Sequence, residues 1–162
     1  IDTMSMVANT FSDFATMPKP KIKDQDIVEI TNSAVQIFKN ANLKIKATKK
    51  KIIWPIDRTQ WIRVLTNLIQ NAIQAVPENR TPKINLDILL EKNKLKMNIE
   101  DNGTGIVKKD QLKIFEPKFT TKSAGMGLGL AIVKNIIDSL NGNISFKSQP
   151  NKGTKFSITL KK

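Results

Sequence analysis

Apolar and polar positions alternate with two different periods along this chain, and the switches between them mark the elements. Ile1, Met4, Val7, Ala8, Phe11 and Phe14–Ala15 recur at helical spacing and predict a helix over 1–16, closed by Met17-Pro18-Lys19-Pro20. A second helical stripe (Ile27, Ile30, Ala34, Ile37, Phe38) predicts a helix within 25–41, with Asp24 or Asp26 as its N-cap. Leu43 to Ala47 alternates as a strand, and Lys51 to Trp54 reads as a short buried one. The clearest helix start follows: Asp57 can cap, Gln60 stands three residues on, and Ile56 and Trp61 occupy the staple positions. Its apolar face runs Trp61, Val64–Leu65, Leu68–Ile69, Ala72 and Val76 up to Pro77. Ile84 to Leu90 and Leu95 to Ile99 alternate on either side of Glu91–Lys94 and predict a hairpin. A Gly- and Lys-rich stretch over about 102–129 is expected to be a loop long enough to act as a lid. A last helix over 130–140 and a hairpin around Pro150-Asn151-Lys152-Gly153 complete the chain. These elements predict an α+β two-layer sandwich with the helices on one face of a mixed or antiparallel sheet.

Composition narrows the chemistry. The 162 residues contain no cysteine and no histidine. That excludes disulfides, thiolate metal sites, an imidazole base and any Ser-His-Asp triad within them. No apolar run approaches the roughly 20 residues of a membrane span. The first residues begin in mid-pattern without an initiator Met, as expected of a piece of a longer protein. The net charge of +13 comes from scattered lysines, with no RNA-binding aromatic signature or helix-turn-helix beside them, so a solvated basic surface is the expectation.

Three stretches then carry candidate chemistry. In "SAGMGLGLAIVKN", Gly125, Gly127 and Gly129 run into a helix, where each glycine costs about 1 kcal/mol against alanine. No strand precedes them as a dinucleotide fingerprint needs, and no Gly-Lys-Ser/Thr follows. "LAIVK" imitates a protein-kinase lysine motif at too short a spacing, and the His-Arg-Asp loop is impossible here. The remaining reason is physical: glycines at a helix N-terminus present bare N–H groups and the positive dipole end to an anion such as phosphate. In "NLIQNAIQA", Asn67, Asn71 and Gln74 are spaced to line one stripe, predicted to lie opposite the apolar face. An amide carbonyl can ligate Mg2+ without adding charge. In "EDNGTGI", Asp101 closes a predicted strand before Asn-Gly-x-Gly; a half-buried carboxylate there would accept from an adenine amino group and repel guanine's carbonyl oxygen.

The order of these stretches, joined by "IFEPKFTTK" (114–122) and Gly153-Thr154, resembles the N, G1, F and G2 boxes of the histidine-kinase ATP-binding domain, in the superfamily shared with Hsp90-type chaperones, gyrase and MutL. The resemblance covers about residues 22–160. "NTFSDFATMPKP" (9–20) is similar to the end of the second dimerisation helix of nitrogen-regulation sensor kinases of the NtrY/NtrB type. The implied organisation is the tail of a dimerisation hairpin and linker over 1–20 and a catalytic ATP-binding domain of the Bergerat fold over 21–162.

By this resemblance Asn71 is the Mg2+ ligand, and Asn67 orients metal and phosphate, both with catalytic roles. Gln74 belongs to the same nucleotide-facing stripe. Asp101 reads adenine, with Gly103, Gly105, Ile106 and Thr154 shaping its pocket. Phe115 and Phe119 anchor the lid, Thr121 and Lys122 reach the nucleotide from it, and Gly125, Met126, Gly127, Leu128, Gly129 and Leu130 form the phosphate cradle. Ala75 departs from the pattern, since many relatives place an aromatic residue there against adenine. Hydrolysing members carry a glutamate four residues before the metal asparagine, where this chain has Asn67, an amide with no basic lone pair. The implied activity is therefore ATP-dependent phosphorylation of a histidine on an upstream dimerisation helix, with onward relay to a response regulator receiver domain. A hydrolysing ATPase and a non-catalytic nucleotide-binding module are the alternatives. The implied setting is a cytoplasmic domain of a homodimeric kinase, anchored to the inner membrane only through upstream segments and without direct nucleic-acid contact.

Overall fold

A computed structural model describes residues 5, 8, 9, 12, 15–39, 41–117, 119 and 127–162. The elements in chain order are β1 (Lys23–Asp26), α1 (Ile27–Val35) with a 3₁₀ turn at Gln36–Phe38, β2 (Leu43–Ala47), β3 (Ile53–Ile56), α2 (Arg58–Ala75), β4 (Ile84–Glu91), β5 (Lys94–Asp101), α3 (Lys108–Gln111), α4 (Gly129–Ser139), β6 (Asn143–Gln149) and β7 (Gly153–Lys161). Ser5, Ala8, Asn9, Ser12 and Ala15 are helical, in keeping with the N-terminal stripe; its larger apolar residues lie outside the described set.

Five strands form a mixed sheet in the order β2-β4-β5-β7-β6, with β2 parallel to β4 and the other neighbours antiparallel. Directly opposed residues share a face, so the registers Leu86↔Ile99, Ile99↔Phe156 and Phe146↔Phe156 lay one apolar row across four strands. Ile88↔Met97, Met97↔Ile158 and Ile144↔Ile158 lay a second. Helices α1, α2 and α4 cover this face, with α2 packed between the other two. Trp61, Val64, Leu65, Leu68, Ile69 and Ala72 of α2 are buried, as are Ala131, Ile132, Val133, Ile136 and Ile137 of α4. Removing each such Val, Leu or Ile side chain from water contributes about 1.5–3 kcal/mol. The architecture is the α+β sandwich that the periodicity predicts.

Two boundaries move near the N-terminus. Residues 23–26, where the sequence predicts only an N-cap at Asp24 or Asp26, form a strand paired antiparallel with β3, from Lys23↔Ile56 to Asp26↔Ile53, and the helix expected within 25–41 begins at Ile27. Charged Lys-Asp-Gln-Asp carries no strand propensity of its own, so the pairing with β3 decides its conformation. Asp26 then caps α1, its Oδ1 accepting from Val28 N–H at 3.0 Å and from Ile52 N–H at 3.2 Å. The short strand predicted over 51–54 forms over 53–56 instead, with Ile53 outward and Trp54 and Ile56 inward.

The start of α2 agrees with its sequence signature. Asp57 Oδ1 accepts from Gln60 N–H at 2.9 Å, while Oδ2 accepts from Lys21 N–H at 2.6 Å. Gln60 does not complete a reciprocal capping box; its Nε2 donates to Pro18 O at 3.3 Å. Burial pushes the Asp57 carboxyl up, but the donors Gln60, Lys21 and Thr59 together outweigh it and hold the group below the ordinary aspartate range.

Candidate functional site

Strand alternation places the acidic residue of the site. Leu95, Met97 and Ile99 point to the helix layer, and Asp101 is next in the same phase, so its carboxylate ends a buried row beside Ile84. Asp101 is only 7% exposed, unusual for a carboxylate without compensation. Its Oδ1 is compensated by backbone: Gly103 N–H donates at 2.8 Å and Thr154 N–H at 3.3 Å. Thr154, also buried, lies on β7 alongside, and its hydroxyl is 2.8 Å from that of Ser148.

The segment after Asp101 is wedged between α2 and the β6–β7 turn, which explains its glycines. Thr104 N–H donates to Ala75 O at the end of α2 at 2.9 Å, and Thr104 O accepts from Asn151 N–H at 2.7 Å. A Cβ on Gly103 would stand 2.6 Å from Ala75 O. Gly105 has φ +71°, and a Cβ there would stand 2.1 Å from Gln149 O. Both glycines thus shape the site by letting protein backbone approach, a reason the sequence alone did not reveal. Ile106 N–H donates to Ser148 Oγ at 2.8 Å, closing this side.

The amide stripe of α2 meets the start of α4 at Asn67. Asn67 and Asn71 are half-buried, and only Gln74 is exposed. Asn67 Nδ2 donates to Arg63 O one turn back at 2.8 Å, which leads its carbonyl oxygen toward α4. A Cβ on Gly129 would come within 2.8 Å of that Oδ1, so glycine at the first position of α4 admits the amide. Gly127 has φ +67° just before it. Leu128 is buried, Leu130 is partly buried, and the start of α4 has no side-chain cap. Its first N–H groups have no partner within the helix, as at any helix start.

The stretch expected to be one long loop is built in part. It contains α3, and Ile114 enters the core. Phe115 packs edge-on against Phe146 and Phe156 at 6.0 and 6.3 Å between ring centres. Phe119 is half-buried against the hydrophobic core. Thr121, Lys122, Gly125 and Met126 lie outside the described residues. Sequence reasoning missed Asn102, Ser148 and Arg80. Ser148 was readable as the cross-strand neighbour of Thr154 once the hairpin turn was fixed; Arg80 left no pattern to find.

The model of the family described as histidine kinase-, DNA gyrase B- and HSP90-like ATPase matches residues 56–162. The chain belongs to that family. In this ATPase family its relatives are sensor kinases, and its place is that of their catalytic domain. It is 28% identical over 99% of its length to the sensor protein TdiS of Thauera aromatica, and 30% identical over 99% to the nitrogen regulation protein NtrY of Azorhizobium caulinodans. It spans 31% and 22% of those two proteins. The catalytic domain of histidine kinase ThkA superposes with a TM-score of 0.78 at 30% identity, covering 88% of this chain and 96% of that one. ThkA in complex with response regulator protein TrrA matches with a TM-score of 0.79 at 24% identity, covering 99% and 48%. ATP use follows from membership of this ATPase family. Among the described residues no helix is long and apolar enough to cross a membrane, and no three acidic, His or Cys side chains gather as a metal site.

Proposed function

We propose that this chain binds Mg-ATP between α2, α4 and the Asp101 segment and transfers the γ-phosphate to a histidine on an upstream dimerisation helix. The observation that carries the reading is the meeting of the Asn67 amide with the glycine-opened N-terminus of α4. The 162 residues contain no histidine, so the acceptor belongs to another segment of the full protein.

Each group has a stated task. Asp101, held by two backbone N–H groups, presents a fixed acceptor to the amino group of adenine. Thr154 and Ile106 wall the same pocket, and Gly103 and Gly105 set its depth. The N–H groups at Gly127 to Gly129 and the dipole of α4 bind phosphate oxygens. Asn71, with Asn67 beside it, fits Mg2+ because neutral amide oxygens suit an ion that keeps phosphate and water ligands. When bound, Mg2+ supplies neutralisation of phosphate charge. Lys122, Thr121, Gly125 and Met126 complete the cradle in this reading, while Phe115 and Phe119 tether the lid to the sheet.

Asn67 has no basic lone pair to activate water, so transfer to a ring nitrogen that already offers one is favoured over hydrolysis. The full protein relays the phosphate to a response regulator and works as a homodimer, anchored to the inner membrane by segments outside these residues. The test mixes the chain with radiolabelled Mg-ATP and the histidine-bearing helical hairpin. Acid-labile phosphate on the hairpin is expected, abolished by Asn71→Ala. Acid-stable label on the chain, or rapid phosphate release without the hairpin, overturns the reading.

A further inference from the structure

Arg80 stands in the connection between α2 and β4, outside every stretch that carries the nucleotide reading. Its Nη1 donates to Asn102 O at 2.6 Å and to Gly103 O at 3.2 Å. Those carbonyls belong to two consecutive peptide groups whose N–H ends are also engaged. The Asn102–Gly103 peptide donates its N–H to Asp101 Oδ1 at 2.8 Å. The Gly103–Thr104 peptide donates its N–H to Ala75 O at 2.9 Å. One guanidinium nitrogen therefore holds the oxygen ends of both peptides, while their hydrogen ends point at the carboxylate and at the end of α2.

The connection that carries Arg80 is itself tied down. Asn102 Oδ1 accepts from Lys83 N–H at 2.8 Å, and Asn102 Nδ2 donates to Thr81 O at 3.0 Å. Arg80 N–H donates to Pro77 O at 2.9 Å, closing the turn that follows α2. The arginine is half-buried, so its bonds to the carbonyls are partly shielded from competing water.

We infer that Arg80 is a positioning residue for base recognition: it fixes and polarises the Asn102–Gly103 peptide so that the Asp101 carboxylate is held at one angle toward adenine. The inference rests on the nucleotide reading above for its ligand, but its mechanism lies wholly in the described residues. A cation at the carbonyl end of a peptide increases the donor strength of its N–H, a cooperative gain of about 10–30% per bond. It also opposes rotation of that peptide, which would turn a carbonyl oxygen toward the carboxylate. Glycine at 103 makes such rotation sterically easy, so an external restraint is needed there.

The test uses the whole 162-residue chain and three substitutions. Arg80→Met keeps the length of the stem and removes the donors, and Arg80→Lys restores a cationic donor. Amide exchange at Gly103, followed by NMR without nucleotide, should speed up about tenfold or more in Arg80→Met and recover partly in Arg80→Lys. Calorimetry should show ADP affinity falling about five- to tenfold in Arg80→Met, the worth of one hydrogen bond. IDP, which lacks the amino group, should change less than twofold. Gly103 exchange and an ADP-to-IDP preference both unchanged in Arg80→Met would overturn the inference and leave Arg80 as packing. If the methionine variant fails to fold, Arg80→Gln, too short to reach either carbonyl, decides by the same two readouts. Wild-type chain that binds ADP and IDP alike would instead defeat the adenine reading, while the Gly103 exchange result still judges Arg80 by itself.

Discussion

Replacing Asp101 by asparagine separates charge and hydrogen-bond polarity from shape. In the wild-type chain Oδ1 accepts from both Gly103 and Thr154 N–H groups. Only the carbonyl oxygen of asparagine can accept, so it takes that position, and the NH2 group occupies the place of Oδ2. The local fold is then kept, because both backbone donors remain satisfied in a site that is 7% exposed. The nucleotide sees a reversal: a donor meets the amino group of adenine where an acceptor stood. A hydrogen bond involving a charged partner contributes about 1.5–3 kcal/mol. ADP affinity should accordingly fall by about 10- to 150-fold. IDP presents a carbonyl oxygen at the same place, so its affinity should rise relative to ADP. Calorimetry with both nucleotides measures the switch, and a melting curve reports whether the fold survives. An Asp101→Asn chain that binds ADP within twofold of wild type would remove Asp101 from base recognition. Equal loss of ADP and IDP with an unchanged melting temperature would refute the polarity argument.

Asp57→Ala should cost about 0.5–2 kcal/mol in a denaturant titration at pH 7, since it removes the cap of α2. Because the folded-state pKa of Asp57 is lowered, that contribution is present above the unfolded aspartate value near 3.9 and is lost as pH falls through the folded value; the gap between variant and wild type should narrow below about pH 4. Gly105→Ala, at φ +71° with Gln149 O 2.1 Å from the new Cβ, should destabilise by at least about 1–3 kcal/mol by thermal melting. Arg58→Ala should return Glu29, now held at about 2 by hydrogen bonds from Arg58 and Ser33, toward 4.5 in an NMR titration, without a measurable change in melting temperature because the pair is exposed.

The layers and most elements were legible because their burial patterns are strong. The α2 start carries its cap and staple in six residues, and the β4–β5 and β6–β7 hairpins alternate cleanly. The β1 strand was not legible, since its conformation comes from a partner 27 to 33 residues away rather than from Lys-Asp-Gln-Asp itself. At the site, the phase of Leu95, Met97 and Ile99 was enough to aim Asp101 inward. The amide stripe of α2 was legible from its spacing, but that Asn67 meets the start of α4 was not, because it depends on where α4 crosses, a long-range fact. Gly103 and Gly105 looked like glycines made for a ligand, yet the atoms that exclude their side chains are Ala75 O and Gln149 O. Arg80 was invisible: an arginine in a polar turn looks the same whether it faces solvent or two carbonyls.

The segment Pro18 to Lys21 is fastened to the first turn of α2 through Gln60 and Asp57. This contact therefore loads α2 at one end, while its packing between α1 and α4 holds the rest of the helix. Asn71 lies fourteen positions beyond Asp57, or about 21 Å at 1.5 Å per residue. A tilt of only about 3° about the grip would carry the Asn71 amide sideways by about 1 Å over that arm. Asn67, nearer the grip, would travel less, so the same tilt would also change the spacing of the two amides relative to the start of α4. A torque acting through Pro18 to Lys21 would therefore displace the far end of α2 most, working against the packing of Leu65, Leu68 and Ile69 beneath it.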